Sequence, residues 1–196
     1  HQIDFAVASS LHAVFYRDSH QGNEELFEAA RKHPDRLASV ATVNPTYVGW
    51  IRDLEQSVAE HGAKGVTLFP AHHGYRLTDE LGQLALERIA EYELPLVLTQ
   101  RLEDRRQRHA WDQAEDLTAS ELTEIATAHP SLRFVLSNWR RLEASELVAA
   151  RLKGRCLIDF ARMQVLMTKE IPELIDQLGV ESIAFGSHMP FDYTGP

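Results

Sequence analysis

Short apolar runs alternate with longer stretches of helical periodicity along the whole chain. The runs are Ile3–Ser9, Leu37–Val43, Ala63–Phe69, Leu94–Thr99, Leu132–Ser137, Cys156–Phe160 and a last one beginning at Ile183. They lack a regular polar residue at every second position, which is the pattern of parallel strands covered on both faces. Between them the apolar residues recur every three or four positions. Asn23 is placed to cap a first helix, with Glu24 and Glu25 in its first turn, Leu26, Phe27 and Ala30 facing inward, and Pro34 beyond its end. The polar stretch Ser10–Gly22 before it reads as a loop. Trp50, Ile51, Leu54 and Val58 mark a second helix, stopped by Gly62. Thr78 is expected to cap a third, with Leu81, Leu84, Ile89 and Tyr92 inward. Thr118 and Glu121 have capping-box spacing and open a helix running to His129. Two more helical segments are Leu142–Leu152 and one ending at Leu178-Gly179.

Seven strands separated by six helices, joined by short turns, predict parallel βα units. A doubly wound open sheet would usually carry a glycine-rich first turn for a nucleotide phosphate, and no such turn is present. A (β/α)8 barrel needs one more strand, and such barrels commonly run to about 250 residues. The expected fold is therefore an α/β, (β/α)8 TIM-type barrel forming a single domain over residues 1–196. Its first strand and last helix are expected to lie outside this chain, which opens on a strand without an initiator Met.

Composition narrows the partners. The 196 residues are 44% hydrophobic and 25% charged, with a net charge of −9 from 20 basic and 29 acidic residues. That balance argues against a nucleic-acid binder and against an anionic membrane surface. The apolar runs are too short to span a bilayer. One cysteine, Cys156, allows no intrachain disulfide and no thiolate cluster. A cytoplasmic protein acting on a small molecule is expected.

In a parallel barrel, chemistry sits at the C-terminal ends of the strands and in the loops after them. Asn44, Gln100, Asn138 and His188 end strands directly, and His72 and Tyr75 lie in the loop after the third. Polar groups gathered over an apolar barrel point to a ligand mouth. His188 carries an imidazole, the side chain best suited to proton transfer at neutral pH, and is the candidate catalytic acid or base. Gln100 and Asn138 could donate to a carbonyl or oxyanion, and Arg101 or Arg105 could hold an anionic substrate. Asn44, His72 and Tyr75 complete the candidate substrate-binding set. Asp159 reads equally as a buried structural partner or a site residue.

Several segments, in order along the chain, carry a family resemblance. They are His33-Pro-Asp-Arg36, Asn44-Pro45, Gly65-Val-Thr-Leu-Phe-Pro70, Glu93-Leu-Pro-Leu-Val97, His129-Pro130, Phe134-Val-Leu136 and Gly186-Ser-His-Met-Pro-Phe191. Together they resemble the amidohydrolase-related family, the branch of the amidohydrolase superfamily holding lactone hydrolases and metal-dependent decarboxylases. The resemblance implies a divalent metal held by a His-x-His pair on the first strand, a His ending each of two later strands, and an Asp in a Gly-Ser-Asp turn. This sequence departs from that pattern. Gln100 and Asn138 stand where the strand-ending histidines belong, His188 stands in the Asp position, and a first-strand pair would precede His1. Neutral amides are poor zinc ligands, so no metal-ligating residue is assigned and no cofactor is expected; the alternative is one divalent ion such as zinc. The resemblance also suggests a homodimer. The expectation is a divergent hydrolase or decarboxylase-like lyase acting on a small carbonyl or carboxylate compound. The alternatives are a barrel without catalysis that binds a metabolite or joins a complex, and a conventional metal-dependent hydrolase with a rebuilt site.

Overall fold

The computed structural model describes residues 3–103, 106, 108–112, 114–140, 142–160 and 169–190. They fall into two compact units divided between Leu96 and Val97. In the first unit the elements are β1 (Ala6–Ser9), α1 (His12–Phe15), α2 (Ser19–Lys32), β2 (Leu37–Val43), α3 (Trp50–Ala59), β3 (Val66–Leu68), α4 (Pro70–His73) and α5 (Glu80–Glu91). β1 pairs with β2 in parallel, from Ala6 opposite Leu37 to Ser9 opposite Val40. β2 pairs with β3 in parallel, from Ala41 opposite Val66 to Val43 opposite Leu68. The last five residues of β2 are all buried, which is why its apolar run carries no alternation.

Two expected helix starts move. Asn23 does not cap α2; it lies within it, 1% exposed, with its amide turned onto β2. Asp18 is the cap, accepting from the His20 backbone N–H at 3.1 Å. The stretch read as a loop thus holds α1 and the first turn of α2. α5 opens from Asp79 rather than Thr78, and its inward face is Gly82, Ala85, Leu86 and Ile89. Leu81 is 42% exposed, and Leu84 and Tyr92 are only half-buried. Gly82 explains the rotation. A Cβ there would lie 2.2 Å from the Arg76 carbonyl oxygen and 2.6 Å from Leu77 Cα, so the helix seats on the preceding turn through its glycine.

The second unit holds most of β4 (Leu96–Thr99), then α6 (Ala119–Ala128), β5 (Phe134–Ser137), α7 (Ala144–Ala149), β6 (Cys156–Asp159), α8 (Glu170–Leu178), a 3-10 turn at Val180–Ser182 and β7 (Ile183–Ala184). β5, β6 and β7 pair in parallel, with Phe134 opposite Cys156 and Ile158 opposite Ile183. The predicted capping box is present: the Glu121 N–H donates to Thr118 Oγ1 and the Thr118 N–H to Glu121 Oε2, both at 3.1 Å. Phe134, Leu136, Leu122, Ile125 and Ile158 are at most 1% exposed and form the core of this unit. Among the described residues no helix is long and apolar enough to cross a membrane.

Candidate active site

Four of the candidate residues come together in the second unit. Gln100 and Arg101 follow β4, Asn138 follows β5, and His188 lies a few residues beyond β7. Asn138 and His188 both adopt left-handed backbone, at φ +55° and +49°. For residues other than glycine that conformation is costly and is held by surrounding contacts. The contacts are visible. Asn138 donates its backbone N–H to Asp159 Oδ1 at 3.2 Å and its amide Nδ2 to the Arg101 carbonyl. His188 Nε2 lies 2.6 Å from the Leu102 carbonyl oxygen.

That distance fixes the imidazole's tautomer. A carbonyl oxygen only accepts, so Nε2 carries the hydrogen and, in the neutral ring, Nδ1 carries the lone pair. The 3.1 Å approach of Asn138 Nδ2 to the same Nε2 is then a contact between two donors and carries no hydrogen bond. Asp159 finishes the arrangement. It is 8% exposed, and a Cβ on Gly186 would lie 2.6 Å from its Cγ. Asp159 is therefore a structural partner, and Gly186 is glycine because that carboxylate occupies the place of its side chain.

Gln100 and Arg101 are engaged with their own loop. The Gln100 amide donates to the Leu117 carbonyl at 3.1 Å and accepts the Arg140 backbone N–H at 2.7 Å. Arg101 is 7% exposed and faces Asp116 at 3.5 Å, while the other oxygen of Asp116 takes Arg108 at 3.0 Å. Arg105 lies outside the described residues. Trp139 is 1% exposed and donates its indole N–H to the Leu98 carbonyl, so it belongs to the core.

The remaining candidates, Asn44, His72 and Tyr75, belong to the first unit. Asn44 closes a turn: its Oδ1 accepts the Thr46 N–H at 3.1 Å and the Thr46 hydroxyl at 2.7 Å, and its Nδ2 donates to the Arg17 carbonyl at 3.3 Å. His72 sits edge-on to Phe15 and Phe69. Tyr75 is 8% exposed, its hydroxyl meets no partner among the described residues, and burial raises its pKa above the ordinary tyrosine value. His73 donates Nε2–H to the Val14 carbonyl at 3.0 Å, and burial brings its pKa down to about 4. A histidine whose folded pKa lies below its unfolded value near 6.5 contributes stability above that value. This contribution falls away as pH drops from about 6.5 towards 4. With the ring partly exposed, the loss is about 2 kcal/mol. Unfolding midpoints measured at pH 7.5 and pH 4.5 should differ less in His73→Gln than in the wild type.

Sequence reading missed the backbone carbonyls of Arg101 and Leu102, since main-chain groups leave no residue-type signal. It left Asp159 open, although a polar residue ending a buried strand was the available hint. Among the described residues no three His, Cys, Asp or Glu side chains are grouped to hold an ion. At the strand ends the candidates are one imidazole and three amides, all engaged with the backbone, which do not fit a site built of histidines and a carboxylate.

Parallel strands alternating with helices, with polar groups at the strand ends, define a protein of the α/β barrel class. The amidohydrolase family model matches residues 5–195, and the chain belongs to that family. No curated protein matches it in sequence. Solved structures share the fold. 2,6-Dihydroxybenzoate decarboxylase from Rhizobium superposes with a TM-score of 0.66 at 14% identity, over 97% of this chain and 74% of that one. 5-Carboxyvanillate decarboxylase from Novosphingobium aromaticivorans, with bound manganese, gives 0.69 at 17% identity, over 97% and 68%. Dihydroxybenzoic acid decarboxylase from a Polaromonas species, with bound manganese and 2-nitroresorcinol, gives 0.62 at 14% identity, over 99% and 70%. At these identities the likeness is one of fold.

Proposed function

We propose that the protein is a hydrolase or decarboxylase-like lyase acting on a small carbonyl or carboxylate compound, with His188 as its acid–base group. The observation that carries this reading is the fixed imidazole: Nε2–H is held on the Leu102 carbonyl, so Nδ1 is the basic nitrogen. In hydrolysis Nδ1 would take a proton from the attacking water. In decarboxylation the protonated ring would return one to the carbon that loses carbon dioxide. Gln100 and Asn138 act as positioning residues, since their amides already hold the main chain around the ring, at Leu117 and Arg140 and at Arg101. Arg101, paired with Asp116, contributes positive potential near a substrate anion. The donor chemistry favours turnover without a resident metal, and a divalent ion such as zinc is the alternative.

The amide hydrogen bonds also favour a second reading, a barrel that binds a metabolite without turning it over. Lactones, amides, β-keto acids and aromatic carboxylic acids, tested with and without manganese or zinc, separate the two. The names of the similar structures put hydroxylated aromatic acids first. Turnover that falls by about 10²-fold in His188→Ala, with the fold retained by circular dichroism, is the expected result. Binding without turnover across all four classes would favour the second reading. Stoichiometric zinc or manganese that is lost in His188→Ala would overturn the metal-free one.

A further inference from the structure

A small cleft in the first unit, away from His188 in the chain, is walled by Ser19, His20, Thr42, Asn44, Tyr47, Trp50 and Asp53. It lies where the C-terminal end of β2 meets the first turns of α2 and α3. Its room is about 10 Å³ for the centre of a water-sized guest, enough for one small molecule.

The wall is rich in acceptors. Glu24 Oε1 lies 3.3 Å from both His20 Nε2 and His61 Nε2, and a carboxylate only accepts, so His20 carries its hydrogen on Nε2. In the neutral ring His20 Nδ1 then carries the lone pair; it is buried and has no partner among the described residues. Thr42 is 1% exposed, and its Oγ1 is likewise buried without a partner. The Ser19 hydroxyl hydrogen is spent on the Ala13 carbonyl at 2.8 Å, leaving its oxygen as an acceptor. Asp53 brings a carboxylate, 14% exposed, that is faced by the His20 imidazole and, 3.7 Å away, by Arg52 on a 75% exposed side chain. Burial raises the Asp53 pKa, with Asp18 adding to the rise and His20 and Arg52 opposing it. Tyr47 and Trp50 supply aromatic walls, which favour a cation.

We propose that this cleft is a binding site for ammonium. Ammonium is close to water in size, presents hydrogen-bond donors on every side, and sets a positive charge inside the cleft beside Asp53, whereas Arg52 meets it from the exposed side. Sodium and potassium are hard cations that favour oxygen ligands, and the imidazole nitrogen discriminates against them. Methylammonium adds a methyl group for which the cleft has no room.

The test is thermal unfolding of the full chain at pH 7 in ammonium, sodium, potassium or methylammonium chloride at equal ionic strength. Ammonium is expected to raise the midpoint by about 3 °C over sodium, with potassium and methylammonium giving less. Asp53→Asn and Thr42→Val should each lose the difference, and Thr42→Ser, which keeps the hydroxyl, should retain it. Asp53→Asn, a nearly isosteric change, keeps the test alive should Thr42→Val fold poorly. Superimposable ammonium and sodium curves in the wild type would mean that the cleft holds water alone and would overturn the proposal. So would an ammonium shift that persists in Asp53→Asn.

Discussion

Replacing Asn23 with Leu is expected to destabilise the protein by about 4 kcal/mol. Asn23 joins α2 to β2 through two hydrogen bonds that copy a strand pairing. Its Nδ2 donates to the Thr42 carbonyl at 2.7 Å, and its Oδ1 accepts the Thr42 N–H at 2.9 Å. Both partners are buried main-chain groups, and Thr42 is 1% exposed. Leucine matches the volume but offers neither donor nor acceptor. Two buried backbone groups would then be stranded, at about 1–3 kcal/mol each beyond the lost bonds. Asn23→Asp should be no better, because it can still accept from the N–H but sets an oxygen against the Thr42 carbonyl and buries a charge. The measurement is the urea midpoint at constant slope, together with amide exchange at Thr42, which should accelerate before exchange in the second unit does. Unchanged exchange at Thr42 would sink the account.

Arg155→Ala should cost about 3 kcal/mol, through carbonyl oxygens rather than an ion pair. The guanidinium reaches six of them. Nη1 donates to His129, Pro130 and Leu132, Nη2 to Ala126 and Ala150, and Nε to Arg151, at distances from 2.7 to 3.3 Å. Five of these oxygens belong to the C-terminal ends of α6 and α7 or to the residues just past them, where helix carbonyls lack intrahelical donors. The positive charge there also suits the negative helix ends. Arg155→Lys separates geometry from charge. A point ammonium with three donors cannot span the set, so Lys should recover less than half the loss. Full recovery by Lys would show that charge alone matters.

These two residues show where sequence reading stops. Asn23 looked like a helix cap because Asn, followed by two glutamates, is what a helix start looks like locally. The residue instead answers to Thr42, 19 positions away, and Asp18 does the capping. Arg155 was one basic residue among 20, with nothing in its neighbours to mark the carbonyls it gathers. Gln100 and Asn138 were legible as polar strand ends, and their places at the ends of β4 and β5 agree. Their hydrogen-bond partners, Leu117, Arg140 and Arg101, were not legible.

What the chain determines by itself is periodic and local: β2 runs over the predicted residues, the Thr118–Glu121 box closes as expected, and the apolar runs become parallel strands. Those features depend on side-chain spacing and on partners within one turn, which the order of residues specifies directly. The tertiary structure alone decided the roles of the polar residues. A buried amide, imidazole or guanidinium takes whichever main-chain donor or acceptor the fold brings within 3 Å or so. That is how the Leu102 carbonyl came to fix the His188 tautomer, and why Asp159 proved to be the carboxylate that keeps residue 186 a glycine.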